Sequence, residues 1–314
     1  MKKLIALFFL SLYFYGCSGS NMLRDWRDQP KPDLKGVKNW VQYYGPYGQP
    51  TVVDQINQFD MAVIGWYDSR FKIPSEPIVV YYLAAMELSE AHRAHHPWFV
   101  GYGDFSQYRI MSNPHYAGTW IMDVRKAGWR DHLLDIAIPA TLDQAKSADH
   151  RQGVGLLLDT FGDIDLFNLN EQAYLWGAED LIRSIHERYP NVPIILNEPP
   201  VELVEMVHQY IAGVVLEQFM ADMHTGELFT QPRSDWGSAK LQRLIQLHDS
   251  LPQDQRFSIF TIYMVKDNDP GKLEFCIAKS KQYGFVPTVT PFSDLGGRYQ
   301  AVPSGYKSIL SKYP

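Results

Sequence analysis

The sequence is poor in cysteine. Its 314 residues include only Cys17 and Cys276, and Cys17 belongs to an N-terminal leader, so the folded part of the chain can form no internal disulfide. Cys276 stands at helical spacing from Leu273 and Ile277, which is typical of a buried structural thiol rather than of a nucleophile. We therefore expect neither disulfide stabilisation nor thiol catalysis.

Positive charge and the common nucleotide and nucleophile motifs are scarce as well. The formal net charge is −6, and the chain has none of the long basic runs that a nucleic-acid interface needs. There is no Walker loop and no G-x-S-x-G elbow, and "YYGPYGQP" (43–50) does not fit the dinucleotide motif G-x-G-x-x-G. The histidines of "AHRAHHPWF" (91–99) lack the acid of a zinc-protease motif. We expect no nucleic acid, no metal and no cofactor.

The only long apolar run is N-terminal, and it is short for a membrane span. Lys2 and Lys3 precede apolar or small residues from Leu4 to Tyr15, and "YGC" follows. This pattern predicts a secretory signal, and its end resembles the lipobox of bacterial lipoproteins. We therefore expect a lipoprotein-type signal peptide over residues 1–17, lipidation at Cys17 and anchoring to a bacterial membrane, at the outer membrane or cell surface. A plain signal peptide cut elsewhere is the alternative.

The rest of the chain is predicted to hold a tether and one domain. Residues 18–36, with "SGSN" and "DQPKPDLKG", have the composition of a tether, and residues 37–314 show no domain break. A monomer is expected. Within the domain, nine short apolar runs alternate with segments of helical spacing. The runs are 39–45, 61–67, 77–87, 119–124, 153–159, 192–198, 212–219, 257–265 and 284–291.

Continuously apolar runs separated by helices predict parallel strands that are covered on both faces. Eight such units close into a (β/α)₈ barrel, so one of the nine runs must lie outside it. The short run "TWIMDV" (119–124), which follows a long aromatic loop (88–118), is the best candidate. A doubly wound open sheet is the competing architecture.

Several predicted strands end on polar side chains. Asp159 ends "GVGLLLD", Asn197 and Glu198 close "VPIILNE", Glu217 ends the run in "AGVVLEQF", and Glu87 closes "YYLAAME". In a parallel barrel these strand ends meet at one face, which is where active sites lie. Two carboxylates facing one another are the apparatus of glycoside hydrolysis. A helix cap or an ion pair is the alternative for any single one of them.

The chain also resembles a known family. The segments "WVQYYG", "FDMAVIGWYD", "YYLAAME", "WIMDVRKAGWRDHLL", "GVGLLLDTFGD", "IILNEPPVEL", "AGVVLEQF" and "YGFVPTVT" occur in order over residues 37–292. They resemble the endo-α-1,4-polygalactosaminidase family, glycoside hydrolase family 114, whose catalytic domain is a TIM barrel. The resemblance implies that Asp159 is the nucleophile and Glu217 the general acid/base, and that the substrate is an α-linked, galactosamine-containing polysaccharide.

Aromatic and polar strand-end residues are candidates for binding that substrate. Sugars stack their C–H faces on aromatic rings, and a strand-end amide can bind a hydroxyl or a neighbouring acid. The candidate substrate-binding residues are Tyr44, Trp66, Tyr67, Tyr82, Glu87, Asn197 and Tyr263.

Three positions depart from the family pattern. After Asp159-Thr160 the family often has another Asp two residues on, where this chain has Gly162 and then Asp163. The other two departures keep a second reading open. Gly65 stands where the second strand of the family ends in an acid, and Met86 replaces the glycine before Glu87. These changes favour the rival reading, a surface lipoprotein that binds glycan on a barrel without turnover.

Overall fold

The computed structural model describes eleven stretches of the chain. They are residues 26–29, 31–44, 50–65, 75–90, 104–143, 152–169, 172–222, 227–229, 237–265, 269–291 and 306–313. The strands are β1 Trp40–Tyr43, β2 Met61–Ile64, β3 Ile78–Ala84, β4 Glu87–Ser89, β5 Arg109–Ser112, β6 Thr119–Met122, β7 Val154–Asp159, β8 Ile194–Asn197, β9 Gly213–Glu217, β10 Ser258–Val265 and β11 Val286–Pro291.

Helices lie between most of these strands. They are α1 Pro50–Ile56, α2 Ala127–His132, α3 Ile138–Asp143, α4 Asp163–Leu166, α5 Gln172–Arg188, α6 Val201–Val207, α7 Gly237–Ser250, α8 Pro270–Gln282 and α9 Tyr306–Leu310. A π-helical turn, Leu133–Ala137, joins α2 to α3. Within the described residues, no helix combines the length and the apolar character that crossing a membrane requires.

Eight strands form a nearly closed parallel barrel, which confirms the predicted (β/α)₈ fold. Their order is β1-β2-β3-β7-β8-β9-β10-β11, and neighbours in this order pair in parallel. A side chain links the two ends of the sheet: the indole nitrogen of Trp40 on β1 donates to the carbonyl oxygen of Val286 on β11 at 3.0 Å.

Alternate residues of the barrel strands point inward, as the two-residue period of a strand requires. Their side chains form an apolar cluster that is separate from the larger core under the helices. Its strand members are Trp40, Met61, Val63, Ile78, Val80, Leu157, Ile195, Val215, Phe260 and Ile262. The barrel interior is therefore filled with side chains, and its open chemistry is confined to the strand ends.

The helices pack on the outside through the apolar stripes predicted from the sequence. In α5 the buried positions include Leu175, Ala178, Ile182 and Ile185, spaced three or four residues apart. Helix α8 begins at a capping aspartate, Asp269, whose carboxylate accepts hydrogen bonds from two backbone amides of the first turn. Cys276 is fully buried on α8, as its spacing predicts.

The segment predicted as a tether is folded where the structure describes it. Trp26 is buried, and its indole donates to Asp143 at 3.0 Å. Leu34 belongs to the apolar cluster of the barrel interior, and its carbonyl accepts a hydrogen bond from Ser258 at the start of β10. The predicted boundary at residue 37 is therefore wrong, because Leu34 packs in the apolar cluster of the barrel interior and Trp26 packs in the larger core under the helices.

A small antiparallel sheet of β4, β6 and β5 lies outside the barrel. It confirms that "TWIMDV" is not a barrel strand, and it adds two short strands that the sequence analysis did not separate. Met122 on β6 donates its amide to the carbonyl of Met86, and Trp129 on α2 donates to the carbonyl of Ala85. These bonds hold the sheet against the carboxyl end of β3.

Candidate active site

The side chains of five predicted site residues point toward the inside of the barrel, like those of the interior cluster. Tyr44, Tyr82, Asp159, Asn197 and Glu217 each lie an even number of residues beyond an inward-facing core residue of the same strand. Because all eight strands run in parallel, these side chains converge on the face where the strands end.

Asn197 joins the two predicted catalytic carboxylates. Its amide nitrogen donates to Asp159 Oδ1 and to Glu217 Oε1, each at 2.9 Å. An amide nitrogen carries two hydrogens, so one is available for each acid. The two accepting oxygens can be no farther apart than these two distances combined. Strands β7 and β9, separated by β8, thus bring their terminal acids to one point.

Asp159 receives two further hydrogen bonds. The Tyr82 hydroxyl donates to Oδ2 at 2.7 Å, and the Thr160 amide donates to Oδ1 at 2.7 Å. Burial, followed by the charge of Asp159, raises the pKa of Tyr82 well above its ordinary value, so its hydroxyl keeps the proton that it donates. Donors on both oxygens fix the direction of the carboxylate.

The backbone is strained directly after each of the three central residues. Thr160, Glu198 and Gln218 have φ angles of 73°, 42° and 51°, in the left-handed region that non-glycine residues rarely adopt. Such positions cost about 1–3 kcal/mol each and cluster at functional sites. At Thr160 the side chain helps to hold the turn, because its hydroxyl accepts the Met86 amide at 2.7 Å.

Two more carboxyl groups lie beside Asp159. Glu87, at the start of β4, accepts a hydrogen bond from the side-chain amide of Asn113. Asp163, in the first turn of α4, is only 6% exposed, and its Oδ2 is buried without a hydrogen-bond partner. Asp163 stands out in the sequence as a departure from the family pattern but was not predicted as a site residue; its place four residues after a strand-end acid is the signal that could have found it.

Both of these groups hold protons more tightly than ordinary carboxyls. Burial is the largest cause for each. Burial and the charge of Asp159 raise the pKa of Glu87 to about 7, against the opposing effect of the Asn113 hydrogen bond. Burial, Glu87 and Asp159 together raise the pKa of Asp163 to about 8. At neutral pH the site is therefore less negative than four carboxylates would make it.

The raised pKa of Asp163 makes stability depend on pH. Between its ordinary value of 3.8 and its folded value of about 8, the unfolded state ionises while the folded state stays protonated. The contribution of Asp163 to the free energy of unfolding then falls by about 1.4 kcal/mol per pH unit as pH rises. We expect Asp163→Asn to lose this slope, so its stability relative to the wild type should increase from pH 4 to pH 8 and then level off. Urea unfolding across this range measures it, and a difference independent of pH would contradict it.

A tyrosine that was not predicted from the sequence also lies near the acids. Tyr116 lies in the turn between β5 and β6 and is 59% exposed. Burial of its hydroxyl end is the largest cause that raises its pKa, followed by the charges of the site carboxyls, with Glu217 first among them. The buried Asn113 side chain shapes the turn by accepting the amides of His115 and Tyr116 at 2.8 and 3.3 Å.

Tyr263 does not belong to the site, so its predicted role in substrate binding is wrong. Its side chain is fully buried, and its hydroxyl lies 2.5 Å from the Ser280 hydroxyl on α8. The residue follows the inward-facing Ile262 on β10 and therefore points outward, toward the helices. Trp66, Tyr67 and Cys17 lie outside the described residues.

The departures from the family pattern at Gly65 and Met86 leave the carboxylate pair intact. A Cβ atom at Gly65 would lie 2.7 Å from the Tyr44 ring, so the tyrosine occupies the space of a side chain there. Tyr44 in turn packs edge-to-face on Tyr82, with ring centroids 5.1 Å apart. Met86 is fully buried in the core under the helices. Neither residue disturbs the hydrogen bonds that join Asn197 to Asp159 and Glu217.

Fold and site together define a (β/α)₈ barrel with a paired-carboxylate centre at its carboxyl-terminal face. The described residues hold no group of three or more histidine, cysteine or acidic side chains arranged to bind a metal ion.

Solved structures share this fold. No protein-family model matches the sequence, and no curated protein matches it. The glycoside hydrolase domain of PelA from Pseudomonas aeruginosa is 18% identical with a TM-score of 0.60, covering 83% of this chain and 96% of that one. Aspergillus fumigatus Ega3, in complex with galactosamine, is 14% identical with a TM-score of 0.53, covering 83% and 93%. The α-galactosidase TtGalA from Thermus thermophilus is 14% identical with a TM-score of 0.51, covering 90% and 66%. The likeness confirms the TIM-barrel fold implied by the family resemblance.

Proposed function

We propose that this protein is a glycoside hydrolase that cleaves an α-linked, galactosamine-containing polysaccharide. One observation carries the proposal: the Asn197 amide bonds to both Asp159 and Glu217 at the carboxyl-terminal face of the barrel. Structural packing does not require two acids to share a donor there, whereas glycoside hydrolysis requires two acids around one glycosidic bond.

The geometry favours a retaining mechanism. Retaining enzymes place their carboxyl groups about 5–5.5 Å apart, and inverting enzymes leave about 6.5–9.5 Å for a water molecule. The shared Asn197 nitrogen draws Asp159 and Glu217 toward the shorter spacing. Asp159, ionised and oriented by three donors, attacks the anomeric carbon while Glu217 protonates the leaving oxygen. Glu217 then takes a proton from water, and the water oxygen displaces Asp159 from the sugar.

The choice of an amino sugar is supported by the comparisons and by the charge of the site. Ega3 was solved with galactosamine, and the PelA domain is a glycoside hydrolase of the same fold. The acidic groups around Asp159 would attract a cationic polymer. Export through the leader and a lipid anchor at Cys17 would bring the enzyme to an extracellular glycan.

Release of reducing ends tests the proposal. The domain that begins upstream of Trp26 is incubated with a panel of amino-sugar polymers, including partly deacetylated α-1,4-galactosamine. We expect new reducing ends, with proton NMR showing that the first product keeps the α configuration. Binding of the polymer without any reducing ends would support the rival, non-catalytic reading instead.

Tyr116 should contribute to substrate binding. Its ring is exposed and its hydroxyl is close enough to the carboxyl groups for their charge to raise its pKa, so the C–H face of a bound sugar could stack on the ring. We expect Tyr116→Ala to raise KM about tenfold with a smaller change in kcat, and Tyr116→Phe to keep most of the affinity because it keeps the ring. Steady-state kinetics on oligosaccharides measure both variants. Equal KM values for wild type and Tyr116→Ala would remove Tyr116 from the substrate path.

A further inference from the structure

We propose, on the basis of the glycan hydrolysis proposed above, that Glu87 and Asp163 form a subsite for the ammonium group of the sugar next to Asp159. The pair lies outside the predicted catalytic dyad but flanks the end of β7: the amide of Met86, next to Glu87, donates to the Thr160 hydroxyl, and Asp163 lies four residues after Asp159. A cation held between them would belong to the sugar whose anomeric carbon faces Asp159.

Asp163 is the first reason. Buried carboxyl groups are normally hydrogen-bonded or ion-paired, because the loss of hydration is costly. Asp163 is 94% buried and makes no side-chain hydrogen bond with the described part of the chain, and its Oδ2 has no partner. A group in this state lacks the partner that would stabilise its charge.

The absence of a counter-charge is the second reason. Among the described residues, the ionisable groups that interact electrostatically with the pair are an acid, Asp159 on β7, and two phenols, Tyr82 on β3 and Tyr116 in the β5–β6 turn. No lysine or arginine of the described residues forms an ion pair with Glu87 or Asp163. Asp165, one turn away on α4, shows the contrast, since it pairs with Lys240 at 2.5 Å.

An amino sugar supplies what the pair lacks. Its ammonium group carries one positive charge and three donors, enough to bond to both carboxylates at once. An N-acetyl group is neutral and larger, and it offers one donor. Because burial keeps Glu87 and Asp163 partly or largely protonated near neutral pH, with pKa values of about 7 and 8, the bound cation would also drive protons off the pair.

Direct binding of monosaccharides tests the subsite without needing turnover. Galactosamine, N-acetylgalactosamine and galactose are titrated into wild type, Glu87→Gln, Asp163→Asn and the control Asp165→Asn, with affinities from NMR shifts. We expect wild type and the control to bind galactosamine at least tenfold more tightly than the two neutral sugars. Each subsite variant should lose most of this preference while its affinity for galactose stays unchanged. Glutamine at 87 can still accept the Asn113 hydrogen bond, so the fold is retained.

Proton release provides a second readout. Calorimetry of galactosamine binding at pH 7 in two buffers of different ionisation enthalpy should show protons released by wild type and by Asp165→Asn, but fewer by either subsite variant. Unchanged galactosamine affinity in Glu87→Gln and Asp163→Asn would overturn the subsite. Preserved galactosamine selectivity without any reducing ends from polymers would overturn the hydrolase and leave the subsite standing.

Discussion

Asp159→Asn is expected to lower kcat/KM for the galactosamine polymer by about three orders of magnitude or more. Asparagine keeps the size of the side chain but cannot form the glycosyl bond through an anionic oxygen. The Thr160 and Asn197 donors can still bond to the amide oxygen, and the Tyr82 hydroxyl can accept from the amide nitrogen, so the fold should survive. Reducing-end assays measure the loss, and thermal unfolding confirms the structure.

The control for this prediction is Asp165→Asn, which also replaces an acid on the carboxyl side of β7. Asp165 pairs with Lys240 and contacts no residue of the central pair in any described hydrogen bond. Its activity should stay within about twofold of wild type. If Asp159→Asn retained comparable activity, the assignment of the nucleophile would have to be abandoned.

Glu217→Gln should have the second largest effect, and the effect should depend on the leaving group. Proton donation contributes about 10²–10⁴-fold when the departing oxygen is a sugar hydroxyl. An aryl leaving group with a low pKa departs without that proton. We therefore expect a large loss of kcat on oligosaccharides and a much smaller one on the first step with an activated aryl glycoside.

Pre-steady-state kinetics on the aryl substrate distinguish these steps. With Glu217→Gln, a burst of phenol followed by slow turnover is expected, because the covalent intermediate forms but water is poorly activated. A uniform loss on both kinds of substrate, with no burst, would mean that Glu217 supports the structure or binds substrate rather than transferring protons.

The barrel and its central acids could be predicted from the sequence because each depends on local pattern. Continuous apolar runs define buried parallel strands, and the last residue of such a run must lie at the common face. Asp159 and Glu217 are found in this way. Asn197 was also predicted, although the sequence could not show that its amide would bond to both acids.

The errors have equally local causes. The prediction for Tyr263 is wrong because it used only the position near the strand end. Phe260 and Ile262 point inward, and alternate residues of a strand share a face, so Tyr263 points outward. Tyr116 and Asp163 were missed because their approach to the acids depends on how the small sheet and α4 fold back over the barrel. Trp26 and Leu34 were assigned to a tether because the polar residues around them hide two isolated apolar side chains that the barrel buries.

The antiparallel sheet beside β3 contributes Glu87, Asn113 and the turn that carries Tyr116, while the acids proposed to break the glycosidic bond lie on β7 and β9. In the proposed mechanism, most of the candidate substrate contacts outside the barrel therefore come from a module that does not carry the catalytic pair, and Asp163 is the exception. An insertion or exchange within residues 104–118 could redirect the enzyme to a new polymer while the catalytic atoms keep their places, so this excursion between the third and fourth barrel strands is where related enzymes should diversify most.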